Sequence, residues 1–257
     1  MKIYSWNMLY RNNKLDRAFE FIQTADFDIF CLQEVPEDFL TRLKTLPYAL
    51  AYRSDMEKLF GSGTVSTFNV IFSRYPIASQ GEIPFPDYWL LLPLRTRLFV
   101  RLLRPFGFSK IRNRGGIYVD VSVDGKSIRI INLHLILAQP AWRLKEFELA
   151  MTERDPSRST IVCGDFNTIE APHISVLNWI LGGKVSDAFF HRRERTNMNK
   201  QFMEHELINT LAGSITHQLS RSQLDHILVS HSFSIKNAEV LPDRIGSDHH
   251  PIFVEIT

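Results

Sequence analysis

Short apolar runs of strand length recur along this chain, and most of them end in an acid, an amide or a histidine. Asn7 closes the run from Ile3, and Glu34 closes the run IFCLQE. His134 stands in INLHLIL, Asp165 and Asn167 follow Thr160 to Gly164, and Asp225 heads Asp225 to Ser230. Strand ends in α/β folds converge on a ligand crevice, so these side chains are predicted to meet in space.

The segments between the runs support that layout. Residues 14–24 place Leu15, Ala18, Phe19 and Ile22 on one helical face. Pro36 suits the first turn of a helix carrying Phe39, Leu40, Leu43 and Leu46, and Pro140 opens another bearing Leu144, Phe147 and Met151. Residues 65–73 and 76–83 read as strands around the turn Ser73–Pro76. Gly116 to Val123 and Ser127 to Leu135 form a predicted hairpin through Asp124-Gly125. Ser234 to Val240 and Pro251 to Ile256 complete the strands. Helices interleaved with hairpins predict mixed sheets in an α/β fold.

No linker, repeat or low-complexity run divides the 257 residues, so one domain over 1–257 is expected, with a monomer as the default. The net charge of +2 excludes a global polyanion binder and leaves phosphate affinity to local patches. Cys31 and Cys163 each lie in an apolar run and read as reduced core thiols. The N-terminus alternates like a strand rather than showing a signal-peptide core, and no stretch of about 18 uncharged apolar residues exists. A soluble, cytoplasmic protein is expected.

Each polar element has an ordinary reading by itself. Asn7 could end a strand, Glu34 could pair with a Lys or Arg, and His134 could be a satisfied core residue. Gly164-Asp165-Phe166-Asn167 could be an Asx turn. Ser247-Asp248-His249-His250-Pro251 could cap a turn or bind a transition metal. Together they meet the needs of phosphodiester hydrolysis: a hard cation on oxygen ligands, an oriented water, donors for the phosphate and a proton for the leaving oxygen. The lack of cysteine ligands favours Mg²⁺ or Mn²⁺ over structural zinc.

The ordered words SWN, LQEV, NLHL, GDFN, LDHILVS and SDHHP, from Trp6 to Pro251, resemble the endonuclease/exonuclease/phosphatase family. The resemblance implies a DNase I-like four-layer α/β/β/α sandwich with its site at one edge of two packed mixed sheets. It implies Glu34 as the main metal ligand, with Asn7 and Asp248 completing the metal environment. Asp165 would orient and deprotonate the attacking water. Asn167 and His134 would hold phosphate oxygens, with His134 a proton donor to the leaving group. His249 would contact the phosphate, and Asp225 would fix its tautomer. His226 and His250 fall where the family varies. Leu9 stands where abasic-site members carry an acid, which counts against that specialisation. The carboxylate partner of His134 is not marked by a motif; Asp55 and Glu57 are candidates.

Residues 84–114 combine Tyr88, Trp89, Phe99, Phe106 and Phe108 with Arg95, Arg97, Arg101, Arg104, Lys110, Arg112 and Arg114. Such a stretch could track a sugar-phosphate backbone, lie on an anionic membrane, or pack on the body by its Leu and Phe side chains with its arginines solvated. Segment 191–206 reads as a solvated loop and helix. The leading expectation is a metal-dependent phosphodiesterase acting on nucleic acid. The alternative is a lipid or small-molecule phosphoesterase of the sphingomyelinase or phosphoinositide-phosphatase type. An inactive binding scaffold would have lost acids or histidines that are all present here.

Overall fold

A computed structural model of the chain describes residues 1–60, 63–106 and 109–257; Phe108 of the aromatic series lies outside them. The chain runs β1 (Lys2–Asn7), α1 (Leu15–Thr24), β2 (Ile29–Pro36), α2 (Glu37–Leu43), β3 (Ala49–Phe60), β4 (Gly63–Ser73) and β5 (Ile77–Pro84). Next come α3 (Leu94–Leu102), β6 (Lys110–Arg112), β7 (Gly115–Val123), β8 (Lys126–His134), α4 (Pro140–Met151) and β9 (Ser159–Asp165). It ends with α5 (Val176–Ile180), α6 (Val185–Phe189), α7 (His191–Glu204), β10 (Leu207–Asn209), β11 (Asp225–Ser230), β12 (Ile235–Val240) and β13 (Ile252–Ile256).

The strands form two sheets. One has the order β12-β13-β1-β2-β4-β3-β6, and the other β10-β11-β9-β8-β7-β5. β1 with β2 and β8 with β9 pair in parallel, while the other neighbours are antiparallel. The Ser73–Pro76 turn therefore does not close a hairpin. It carries the chain from the first sheet into the second. Asp124 and Gly125, both at positive φ, close the β7–β8 hairpin as the Asp-Gly signal predicts.

Side-chain alternation explains the four layers. Ile3, Ile29, Cys31 and Ile71 of the first sheet meet Val119, Ile130, Ile161 and Cys163 of the second. The opposite face of the first sheet sends Trp6, Phe30, Leu32 and Phe72 against Ala18 and Ile22 of α1 and Phe39, Leu40 and Leu43 of α2. Ile131, Leu133, Val162 and Leu228 on the outer face of the second sheet pack on Phe147 of α4 and on Met198 and Phe202 of α7. The segment expected to be solvated, 191–206, thus contributes an apolar face. Pro36 ends β2 and stands at the cap of α2 rather than inside its first turn.

The layer between the sheets changes character along the strands. Ile71 gives way to Asn69 on β4, Cys31 to Gln33 on β2, Ile130 to Asn132 and His134 on β8, and Cys163 to Asp165 on β9. β3, which the sequence reading did not identify, follows suit from Ala51 to Arg53 and Asp55. Asn132 ties the two sheets at the transition. Its Nδ2 donates to the carbonyls of Leu32 (2.9 Å) and Val70 (3.0 Å), and its Oδ1 accepts from Gln33 Nε2 at 2.7 Å. The β2–β4 register shifts between Leu32 and Val35, so Asn132 supplies donors where the ladder is interrupted.

Replacing Asn132 by Ala removes its bonds to two buried carbonyls and leaves the Gln33 amide with Ser5 Oγ at 3.3 Å. The expected loss is about 2–4 kcal/mol of stability, read as a lower urea midpoint at unchanged slope.

Candidate active site

Asn7, His134 and Asp165 are the last residues of β1, β8 and β9, and Asp225 is the first of the antiparallel β11, directly opposite Asp165. The strand ends therefore do converge at one edge of the sandwich. Gly164 makes the closest approach possible: its φ is +140°, and a Cβ there would lie 1.9 Å from the Leu133 carbonyl. Only glycine lets β9 run this close to β8 beside the site.

Five buried ionisable groups form a line. Asp55 Oδ2 accepts from His134 Nδ1 at 2.9 Å, and His134 Nε2 lies 3.7 Å from Asp165 Oδ2. The same Asp165 oxygen lies 3.7 Å from His249 Nε2, whose Nδ1 donates to Asp225 Oδ2 at 2.9 Å. Asn7 Nδ2 (2.9 Å) and the backbone N–H of Asn167 (2.8 Å) also donate to Asp165.

Burial opposes the charged form of both histidines, but the flanking carboxylates prevail. Asp55 and Asp165 push His134 up to about 9, and Asp225 and Asp165 push His249 up to about 10. Burial likewise works to raise Asp165, yet the two histidines and its hydrogen bonds hold it below the usual carboxylate range. Burial raises the Asp225 carboxyl, with His249 pulling the other way.

The partner of His134 is thus Asp55, from the strand that sequence periodicity did not reveal. The other candidate, Glu57, pairs with Arg112 Nε at 2.6 Å. Asp55 also receives the Glu34 backbone N–H at 3.3 Å. Glu34 sits at the β2 irregularity with φ +56°, an unfavourable backbone for a glutamate. Its Oε2 accepts from the Tyr10 N–H (3.2 Å) and from Lys58 Nζ (3.3 Å), so the salt bridge considered for it is present.

Asn167, also at positive φ (52°), spends one amide hydrogen on the Leu135 carbonyl at 2.9 Å. Asp248 is half exposed and faces His217, whose Nε2 is 3.6 Å from its Oδ2. The direct partners of the three residues expected around the metal differ: Asp248 faces His217, Asn7 donates to Asp165, and Glu34 holds Lys58. His217 was not singled out from sequence; it reaches the site through a backbone bridge to His249. Asp248 is held down to about 2, against its own burial, by His217 and His249. His226 donates to the Leu224 carbonyl, receives Arg195 and stacks on Phe166, while His250 donates to the Leu241 carbonyl; neither belongs to the line.

The residues 84–114 differ most from expectation. Arg114 is buried, ion-paired with Glu146 and donating to the His134 carbonyl at 2.8 Å, while Glu146 receives the Ile136 N–H. Arg95 donates to the carbonyls of Trp179 and Gly183. These arginines are structural, and it is leucines that face outward.

The sequence matches the Endonuclease/Exonuclease/phosphatase family over residues 4–249. The chain belongs to this family. Its members are phosphoester hydrolases, generally dependent on a divalent metal, and so is the enzyme class of this chain. No curated protein matches the sequence. Among solved structures it is similar to a family protein of Leptotrichia buccalis (17% identity, TM-score 0.69, 100% of this chain and 99% of that one). It is also similar to a mannosyl-6-phosphatase of Bacteroides thetaiotaomicron (19%, 0.64, 100% and 99%). A third is the 3′ phosphatase NExo from Neisseria bound to a product DNA hairpin (18%, 0.60, 100% and 99%). At these identities the likeness concerns the DNase I-like fold. No helix among the described residues is long and apolar enough to cross a membrane.

Because His134 is cationic below about 9, any step needing its proton should fail as pH rises through that value. Asp55→Asn removes the charge that raises it, so the alkaline limb of kcat/KM should move down toward the ordinary histidine value of about 6.5. A limb that stays in place in the variant would separate His134 from proton transfer.

Proposed function

We propose that this chain is a Mg²⁺- or Mn²⁺-dependent phosphodiesterase whose substrate carries its phosphate on a lipid or another small, partly apolar body. The carrying observation is the alternating line Asp55–His134–Asp165–His249–Asp225. A phosphate set over its centre would face a carboxylate flanked by two cationic donors. Asp165 would orient the water and take its proton as the new P–O bond forms. His249, held by Asp225, would donate to a non-bridging oxygen, and the second Asn167 amide hydrogen would reach another. His134 would give its proton to the departing oxygen.

Two other groups of acids and histidines come within 4.8 Å: His217, Asp248 and His249, and Asp165, Asp225 and His249. Both draw on His249, whose Nδ1 is taken up by Asp225 and whose Nε2 faces Asp165. Glu34 and Asn7 instead offer oxygen atoms beside the excess negative charge of the line, which fits a hard cation. Asp248, beside His217 and His249, would be the third residue of that environment. Bound there, the cation would polarise the phosphate and offset its charge.

The nucleic-acid reading drew on the arginines of 84–114, and Arg95, Arg112 and Arg114 are turned to protein partners. Just beyond His134, a cavity of about 90 Å³ is lined by Tyr88, Trp89, Leu92, Val100, Ile136 and Leu137. That wall suits an apolar group better than a sugar-phosphate track.

With Mg²⁺, a short-chain phospholipid should be hydrolysed, and plasmid and single-stranded oligonucleotides should not; the reverse pattern would restore the nuclease reading. Asp165→Asn and His249→Ala should each lower kcat by roughly 10²–10⁴ with the Mg²⁺ titration unchanged, whereas Glu34→Gln should weaken Mg²⁺. An unaltered Mg²⁺ titration in Glu34→Gln would place the metal elsewhere.

A further inference from the structure

A helix on the surface of a water-soluble body normally turns its leucines inward and its arginines outward. α3 turns its leucines outward as well. At 3.6 residues per turn, Leu94, Leu98 and Leu102 form one stripe, and Thr96 and Val100 form the opposite one. It is Thr96 and Val100 that are buried. Leu94, Leu98 and Leu102, with Leu90 and Leu91 of the preceding helical turn, are between 53% and 80% exposed.

This orientation is fixed. Thr96 Oγ1 donates to the Ile180 carbonyl and Arg95 Nη2 to the Gly183 carbonyl, both at 2.7 Å, seating α3 on the α5–α6 segment. The leucine ridge cannot roll inward without breaking these bonds.

We propose that this ridge docks the protein on an anionic phospholipid bilayer. The charge pattern selects that occupant. From Tyr88 to Val119 the chain has no Asp or Glu, while Arg101 and Arg104 stand exposed beside the leucines. Leucines entering the acyl boundary with guanidiniums at headgroup level satisfy both halves of the pattern. A second copy of this chain fits worse, because a two-fold contact through the ridge would set arginines against arginines. Nine residues at about 1.5 Å each span about 13 Å, so α3 lies in the interface plane and does not cross it.

The underside of the same helix, through Thr96 and Val100, lines the apolar cavity whose far wall is Ile136 to Ala138, just beyond His134. Ridge and cavity thus share α3, and Arg114 of the cavity lining donates to the His134 carbonyl. Delivery of a membrane-borne phosphoester along that path rests on the substrate reading above. Docking does not.

Cosedimentation with vesicles, without divalent cation or substrate, tests docking apart from turnover. Wild type should pellet with vesicles of phosphatidylcholine and phosphatidylglycerol and much less with phosphatidylcholine alone. Leu94→Glu/Leu98→Glu should lower partitioning by about tenfold or more, and Arg101→Glu/Arg104→Glu should abolish the preference for anionic lipid. Matching circular-dichroism melts would show that both variants fold. Wild type staying in the supernatant, leucine variants that pellet like wild type, or a wild-type dimer dissolved by the same substitutions would each overturn the proposal.

Discussion

The alternation of charge along Asp55, His134, Asp165, His249 and Asp225 is the constraint around which the molecule is arranged. Each member is buried, and a buried charge is tolerable only with partners of opposite sign close by. Those partners come from β3, β8, β9, the approach to β13, and β11. Neither sheet can complete the line alone, because Asp55 belongs to the first sheet and His134, Asp165 and Asp225 to the second. The register of the two sheets against each other is thus set at the polar edge by hydrogen bonds and ion pairs. At the other end it is set by apolar packing.

The line contains three carboxylates and two imidazoliums, so it carries one excess negative charge, and Glu34 lies against its Asp55 end. A hard cation at that end and a phosphate over the middle are complementary occupants. The protein has already met the desolvation cost of the charged groups in folding, so they need not reorganise when substrate arrives.

Much of this was legible in the sequence. Alternation of apolar residues located most strands, and polar residues at their ends located the crevice; the six family words supplied the order. What stayed hidden depends on long-range pairing. β3 was missed because Arg53, Asp55, Glu57 and Lys58 give it the look of a loop, and its buried Arg53 and Asp55 meet their opposite charges in the second sheet, on Glu82 and His134. Arg53, for instance, meets Glu82 and the Ile83 carbonyl of β5. His217 has no periodic context, and the positive φ of Glu34 arises from a mismatch between neighbouring strands. Within 84–114 the partners of Arg95, Arg112 and Arg114 were hidden for the same reason: composition shows a charge but not the carbonyl or carboxylate that holds it.

Cys31 on β2 and Cys163 on β9 face each other across the apolar part of the layer between the sheets, both free and fully covered. Each thiol is sealed by the sheet that carries the other. Burial also raises the Cys31 thiol, which keeps it in its unreactive protonated form. A thiol reagent therefore reaches either residue only when the sandwich parts. This gives the molecule a built-in gauge: the rate of modification counts openings of the two sheets, and the two cysteines should react together when opening is global and apart when one sheet frays first.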